Sequence, residues 1–282
     1  MLKTRIITAL VILPIVLLAL FFFPRWAWAL FAATVMAAAT WEWTRLSQFS
    51  PGYRAFFYVL ATMLAAWSAA AYLGYAGAAF GSITLTVLLV AAAFWMVAVP
   101  CWLFSEWRVR SSNLMVLTGL AVIIPTWIAL LFLRDVGPWV LLTFAVIVWV
   151  ADIAAYFAGK RFGRHKLAPA ISPGKTVEGV IGGLCAVAVY FFLWRWLAAQ
   201  LPGGVGLDLL QGQGMGLLAV FLLLALVSVM GDLFESWMKR GAGMKDSSNL
   251  LPGHGGVLDR IDALTATLPL ASLYLLLLVK EV

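Results

Sequence analysis

The chain is poor in charge. Only 11% of its 282 residues are Asp, Glu, Lys or Arg, against about 25% in soluble domains. That leaves too little polar surface for a water-exposed globule. Cysteine and histidine are scarcer still, at 2 of each. Cys101 and Cys185 both lie inside apolar runs, which excludes a disulfide framework and a Cys/His zinc cluster. Strands of alternating polarity, which a membrane barrel requires, are also missing. The chain instead has 64% hydrophobic residues, 14 Trp and a mean hydropathy of +1.02.

Apolar runs of about 20 residues match the thickness of a bilayer when helical. An open sheet would leave backbone groups unpaired in lipid. The sequence therefore predicts an all-α polytopic membrane protein with about nine transmembrane helices. They fall near residues 6–23, 26–46, 56–73, 83–104, 115–133, 139–158, 177–199, 216–238 and 260–279. Pro24, Pro51, Pro138 and the 201–206 stretch punctuate them, and residues 74–81 read as an external loop. Residues 1–23 imitate a signal peptide, with Lys3 and Arg5 before an apolar stretch. The stretch is long and no small-residue cleavage site precedes Pro24, so it reads as a retained first span.

With the N-terminus placed in the cytoplasm, all but four of the 19 Lys and Arg residues fall on the inner side. The exceptions are Arg25, Arg134, Arg195 and Lys280. This bias is what the positive-inside rule demands. It also accounts for the net charge of +7 without a nucleic-acid partner, since the basic residues sit in short loops beside anionic lipid. Trp26, Trp28, Trp41, Trp43, Trp194 and Trp196 read as interfacial belt residues.

The acids are unevenly placed. Asp152, Glu178, Asp232, Glu235, Asp246, Asp259 and Asp262 gather at or near the inner ends of the last four spans. In the first half, Glu42 stands between two tryptophans and is expected to pair with Arg45, with no chemical role. Residues 1–135 therefore read as a lipid-facing scaffold, and 136–282 as a catalytic region with its site on the cytoplasmic side. A carboxylate at the centre of a span costs about 2.5–3.5 kcal/mol. A cluster of them calls for a cation, basic partners or a wet cavity.

Asp232, Glu235 and Lys239 are spaced i, i+3 and i+7, on one side of a helix. Asp259 and Asp262 share a face at the start of the last span, and Asp152 and Tyr156 are i, i+4. Oxygen donors without a suitable His/Cys set favour Mg²⁺ over Zn²⁺. Carboxylates from different helices that bridge hard cations suit phosphoryl chemistry. His254 lies in Pro252-Gly253-His254-Gly255-Gly256, where glycines let backbone N–H groups approach a phosphate closely. Ser172-Pro173-Gly174-Lys175-Thr176 presents hydroxyls and an ammonium just before a span. It reads as a phosphate clamp, although it is not a Walker A loop.

These residues resemble the CDP-diacylglycerol synthases, or phosphatidate cytidylyltransferases. That family's pattern is filled at Ser236, Met238, Lys239, Arg240, Lys245, Asp246, His254, Gly255, Gly256, Val257, Asp259, Arg260, Ile261 and Asp262. The segment from Ser172 to Gly179 and the pair Gly231-Asp232 also look like the family's. The resemblance implies transfer of CMP from CTP to phosphatidate, giving CDP-diacylglycerol and pyrophosphate. It implies metal at Asp232 and Asp259, with Asp262 and Asp152 as further contributors, and Mg²⁺ with or without a second cation. Asp232, Asp259, Lys239, Arg240 and His254 are expected to be catalytic. Lys239, Arg240, Lys245 and Arg260 should hold the triphosphate or the leaving pyrophosphate. Asp246, Gly255 and Gly256 belong to the substrate-binding set. Ser172, Lys175 and Thr176 would grip either the lipid phosphate or the nucleotide. The resemblance also implies a homodimer, and the chain's size and compactness point to a bacterial inner membrane.

Other readings are a CTP-dependent polyprenol kinase, which would transfer the γ-phosphate, and a cation-coupled transporter. The transporter fits poorly, because the acids sit at one membrane face and the N-terminal half lacks them. A CDP-alcohol phosphotransferase fits less well, because its Asp-Gly-x-x-Ala-Arg motif is absent.

Overall fold

The structure, a computed structural model, describes residues 2–74, 79–109, 111–200 and 205–281. Half of the loop expected at 74–81, much of the 201–206 break, and Arg110 lie outside the described residues.

Helices account for nearly all of the fold, because in hydrocarbon a helix satisfies its own N–H and C=O groups. In chain order they begin with α1 (Leu2–Phe22), α2 (Arg25–Leu46), α3 (Pro51–Tyr72) and α4 (Ala79–Ala93). A π-helical turn, Phe94–Ala98, joins α4 to α5 (Val99–Phe104). Then come α6 (Ser112–Val136), α7 (Pro138–Phe162), α8 (Val177–Ala198), α9 (Val205–Gly212), α10 (Gly216–Gly241) and α11 (Leu258–Glu281). Pro51 and Pro138 stand in the first turns of their helices, where a missing N–H costs nothing.

Each of the nine segments expected to span is helical. Seven helices are long and apolar enough to cross a membrane, and Ile6–Phe22 is a shorter apolar one. α2 is 22 residues long but is not among those seven. Two features were not foreseen. The short helix α9 starts at Val205, inside the 201–206 break. Within the 159–179 loop, β1 (Lys166–Ala168) pairs antiparallel with β2 (Ser172–Thr176).

The central helix is α6, the most buried of the seven, packed against α2, α3, α7 and α11. Small residues let α7 and α8 cross closely. A Cβ on Gly183 would lie 3.0 Å from the Ala151 carbonyl, and one on Gly182 would strike the Ala158 methyl. The tryptophans divide by side rather than forming one belt. Trp26 and Trp196 are well exposed, whereas Trp28, Trp43 and Trp194 are buried. Their indole N–H groups donate to Leu130 O (3.1 Å), Met115 O (3.0 Å) and Thr143 Oγ1 (2.8 Å). The belt expectation is therefore corrected for these three: each indole pins one helix to another.

At one end of the bundle, Arg25 pairs with Asp135 at 2.6 Å, and Arg134 donates to the carbonyls of Leu20 and Phe23. The opposite end gathers the C-termini of α2, α7 and α10 and the N-termini of α8 and α11. The acids meet there.

Candidate active site

The hairpin is the first part of this site. Thr176 caps α8, its Oγ1 accepting from Gly179 N at 3.1 Å. Glu178, in the first turn, accepts from His165 N at 3.2 Å and lies 2.6 Å from His165 Nδ1. Lys166 Nζ donates to Pro173 O at 2.8 Å. These bonds hold β2 beside α7 and α8, from where Lys175 Nζ reaches Asp232 Oδ2 on α10 at 2.8 Å. Ser236 Oγ donates to the other oxygen of Asp232 at 3.2 Å.

Beneath the hairpin lies a cleft of about 570 Å³. Asp152, Asp232, Lys160, Lys166, Lys175, Thr176 and Tyr156 line its polar part. Ala151, Gly183, Leu184, Ala225 and Val229 line its apolar part. Cations, carboxylates and an apolar wall in one cavity suit an amphiphile with a phosphate head. Of the expected phosphate clamp, Lys175 and Thr176 line this cleft. Ser172 begins β2 opposite Ala168 and is not among the lining residues.

A second cluster lies at the junction of α10 and α11. Lys239 Nζ bonds Glu235 Oε2 at 2.7 Å and Asp259 Oδ1 at 2.6 Å, and all three residues are buried. Asp259 Oδ2 accepts from Ser247 N (2.8 Å), Ser247 Oγ (2.9 Å) and Gly256 N (2.8 Å). The spacing argument therefore holds for Glu235 and Lys239, while Asp232 turns away to Lys175 and the cleft. Asp259 already holds four donors. Its bonds shape the glycine turn: Gly255 has φ +83°, and a Cβ there would lie 2.7 Å from Asp259 Oδ2. The Gly256 amide, expected to face a phosphate, is committed to Asp259.

Asp262 connects the two clusters electrostatically. It lies near Asp232 and near Glu235, and Asp152 likewise lies near Asp232. Glu235 Oε1 is buried with no hydrogen-bond partner among the described residues. Carboxylates gathered beside an orphaned acceptor are oxygen donors of the type that hard cations take. Among the described residues, no three Asp, Glu, His or Cys side chains stand at spacing that could hold a metal ion as they are.

Arg240, Lys245, Asp246 and Arg260 are exposed around this end. Arg240 Nη1 donates to Met244 O at 3.3 Å. His254 is half-buried, with Nδ1 unpartnered among the described residues. The backbone of its turn closes through Leu251 N to Gly255 O at 2.8 Å.

Sequence reasoning missed Glu42. It forms no ion pair with Arg45 among the described residues; Arg45 lies over the Trp41 ring instead. Glu42 is fully buried and accepts from Ser247, Ser248, Val257 and Leu258. The available signal was energetic: a carboxylate flanked by tryptophans in an apolar helix needs strong donors.

Residues 3–278 match the cytidylyltransferase family. The chain is 40% identical over 276 residues to a phosphatidate cytidylyltransferase of Pseudomonas aeruginosa, covering 95% of each chain. It is 35% identical to the Haemophilus influenzae protein of that name, covering 97% of this chain and 98% of the relative. A Brucella suis phosphatidate cytidylyltransferase is 38% identical, with 97% and 93% covered. The match spans every element of the cleft and of the α10–α11 cluster, and the chain belongs to the cytidylyltransferase family.

Proposed function

We propose that this protein transfers CMP from CTP to phosphatidate, releasing pyrophosphate and forming CDP-diacylglycerol. The observation that carries the reading is the cleft. It joins three lysines and two carboxylates to an apolar wall at the ends of membrane helices, and the family supplies the nucleotide. A lipid phosphate enters such a cavity head first while its chains stay among the helices.

The reaction brings one anion to another. A phosphatidate phosphate oxygen attacks the α-phosphorus of CTP, an O–P bond forms, and the bond to pyrophosphate breaks. The attacking oxygen is already ionised, so no strong base is required. The chain's task is neutralisation and alignment. Lys160, Lys166 and Lys175 line the cleft for the phosphate headgroup. Arg240, Lys245 and Arg260 ring the same end for the triphosphate. Lys239, locked between Glu235 and Asp259, orders the first turn of α11. His254, half-buried in the turn, would donate to a phosphate.

Mg²⁺ would be held by Asp232 with Asp152 and Asp262 once these side chains draw closer than they stand here; Asp259, occupied by its donors, serves as anchor. When bound, the ion offsets charge on the phosphate oxygens. The basic residues concentrated at this end support a cytoplasmic site with the N-terminus inside, in a bacterial inner membrane like that of the relatives' hosts. The homodimer stays an expectation of the resemblance.

The test is an assay of purified protein in detergent with phosphatidate, Mg²⁺ and CTP labelled in the cytidine and, separately, at the γ-phosphate. CDP-lipid and pyrophosphate are the expected products. Label from the γ-phosphate alone on the lipid would establish a kinase instead. Full activity in both Asp232→Ala and Asp259→Ala would remove the assigned site.

A further inference from the structure

We infer that Glu42, on α2, is a positioning residue for the transfer reaction. It sets the loop and first helical turn that carry Asp259 and Asp262. The inference rests on the CMP-transfer reading, since it assigns Glu42 a part in that reaction.

The geometry is specific. Glu42 is 0% exposed, and its carboxylate faces the N-terminus of α11. Leu258 N donates to Oε2 at 2.6 Å and Val257 N to Oε1 at 2.9 Å. The first N–H groups of a helix have no partner of their own. Here a carboxylate from a distant helix supplies one, and the positive end of the helix dipole stabilises its charge. Ser248 Oγ donates to Oε1 at 2.5 Å. The Ser247 hydroxyl lies between Glu42 Oε2 (3.1 Å) and Asp259 Oδ2 (2.9 Å), and its single proton serves one of them at a time.

Glu42 and Asp259 therefore grip one short piece of backbone from two sides. Asp259 takes Ser247 N and Gly256 N; Glu42 takes the next two amides. No basic side chain pairs with Glu42 among the described residues, so its charge is stabilised by this loop. Gly256 fits between them because it has no side chain: a Cβ there would collide with Ser247 Oγ and Glu42 Oε1. A carboxylate fully out of water is costly unless its hydrogen bonds are complete. This one is complete only when the loop holds its present shape. Just past α2, Gln48 Nε2 donates at 3.1 Å to the carbonyl of Ala242, which caps the end of α10.

Glu42→Gln keeps the volume but turns an NH₂ toward backbone donors. It removes a buried charge as well as hydrogen bonds, and these effects on stability oppose each other. A displaced supporting contact around a catalytic ion typically lowers activity by about 10–100-fold. The experiment compares wild type, Glu42→Gln, Glu42→Asp and Ser248→Ala by CDP-lipid formation, Tm and amide hydrogen exchange. For Glu42→Gln we expect kcat to fall by about tenfold or more, with KM for CTP and Tm close to wild type. Exchange should be faster across 246–258. Glu42→Asp, which keeps the charge but reaches less far, should recover part of kcat.

Wild-type kcat together with wild-type exchange in Glu42→Gln overturns the inference. So does a joint loss of Tm, KM and kcat that Asp fails to relieve, which marks a purely structural role. If Glu42→Gln does not accumulate, Ser248→Ala decides: a several-fold loss of kcat at unchanged Tm supports the inference, and unchanged kcat ends it. A wild-type protein that forms no CDP-lipid refutes the reaction itself, and the exchange comparison then decides the positioning.

Discussion

Lys175 on the β-hairpin and Asp232 on α10 meet at 2.8 Å over the mouth of the cleft. Their side chains are 22% and 31% exposed, so the pair contributes only about 0–1 kcal/mol to stability. Its position between the hairpin and the carboxylate group matters more. Asp232→Asn is expected to leave Tm nearly unchanged and to cut CDP-lipid formation by about 10²-fold or more. A large Tm loss with proportionate activity would show a structural pair instead.

Lys239 should behave in the opposite way. It is the buried cation between Glu235 and Asp259. Lys239→Met leaves two carboxylates facing each other without compensation, and breaking such a buried set costs about 3–5 kcal/mol. Thermal unfolding in detergent should show a clearly lower Tm and a reduced folded yield. An unchanged Tm would mean that water or another cation reaches the pair.

The glycines separate by what surrounds them. Gly256→Ala places a methyl group against Ser247 and Glu42, and both Tm and activity should fall. Gly52→Ala, near the start of α3 with open space around it, should keep full activity. Equal behaviour of the two variants would contradict the packing at Gly256.

Glu178 ties the start of α8 to His165. Glu178→Ala should free the strand pair, with faster amide exchange across 164–176 and a several-fold lower activity at constant Tm. Unchanged exchange would show that the strand pairing suffices by itself.

Much of this architecture is legible in the residues because the bilayer permits few solutions. The apolar runs form helices, seven of them long and apolar enough to cross a membrane. The i, i+4 relation of Glu235 and Lys239 follows directly from helical geometry. Local periodicity says nothing about partners far along the chain. The stretch from Lys166 to Thr176 carries no strand alternation, and the bonds beside its pairing, Lys166 to Pro173 and His165 to Glu178, join residues that no local period relates. Asp232 shares a sequence motif with Glu235 yet takes its partner from the hairpin. The Gly-Gly pair has the composition of a phosphate loop, while its space is filled by the carboxylates of Asp259 and Glu42.

The bonds from Ser247 and Leu258 to Glu42 span 205 and 216 positions. A ribosome releases α2 long before it makes those donors. During insertion this acid must either stay hydrated at the membrane edge or borrow a temporary partner. Arrival of the final helix then lets it settle into a dry interior. Assembly of the reacting end is thus a late event in biogenesis, and a nascent chain cut short before α11 would retain a carboxylate with nowhere to dock.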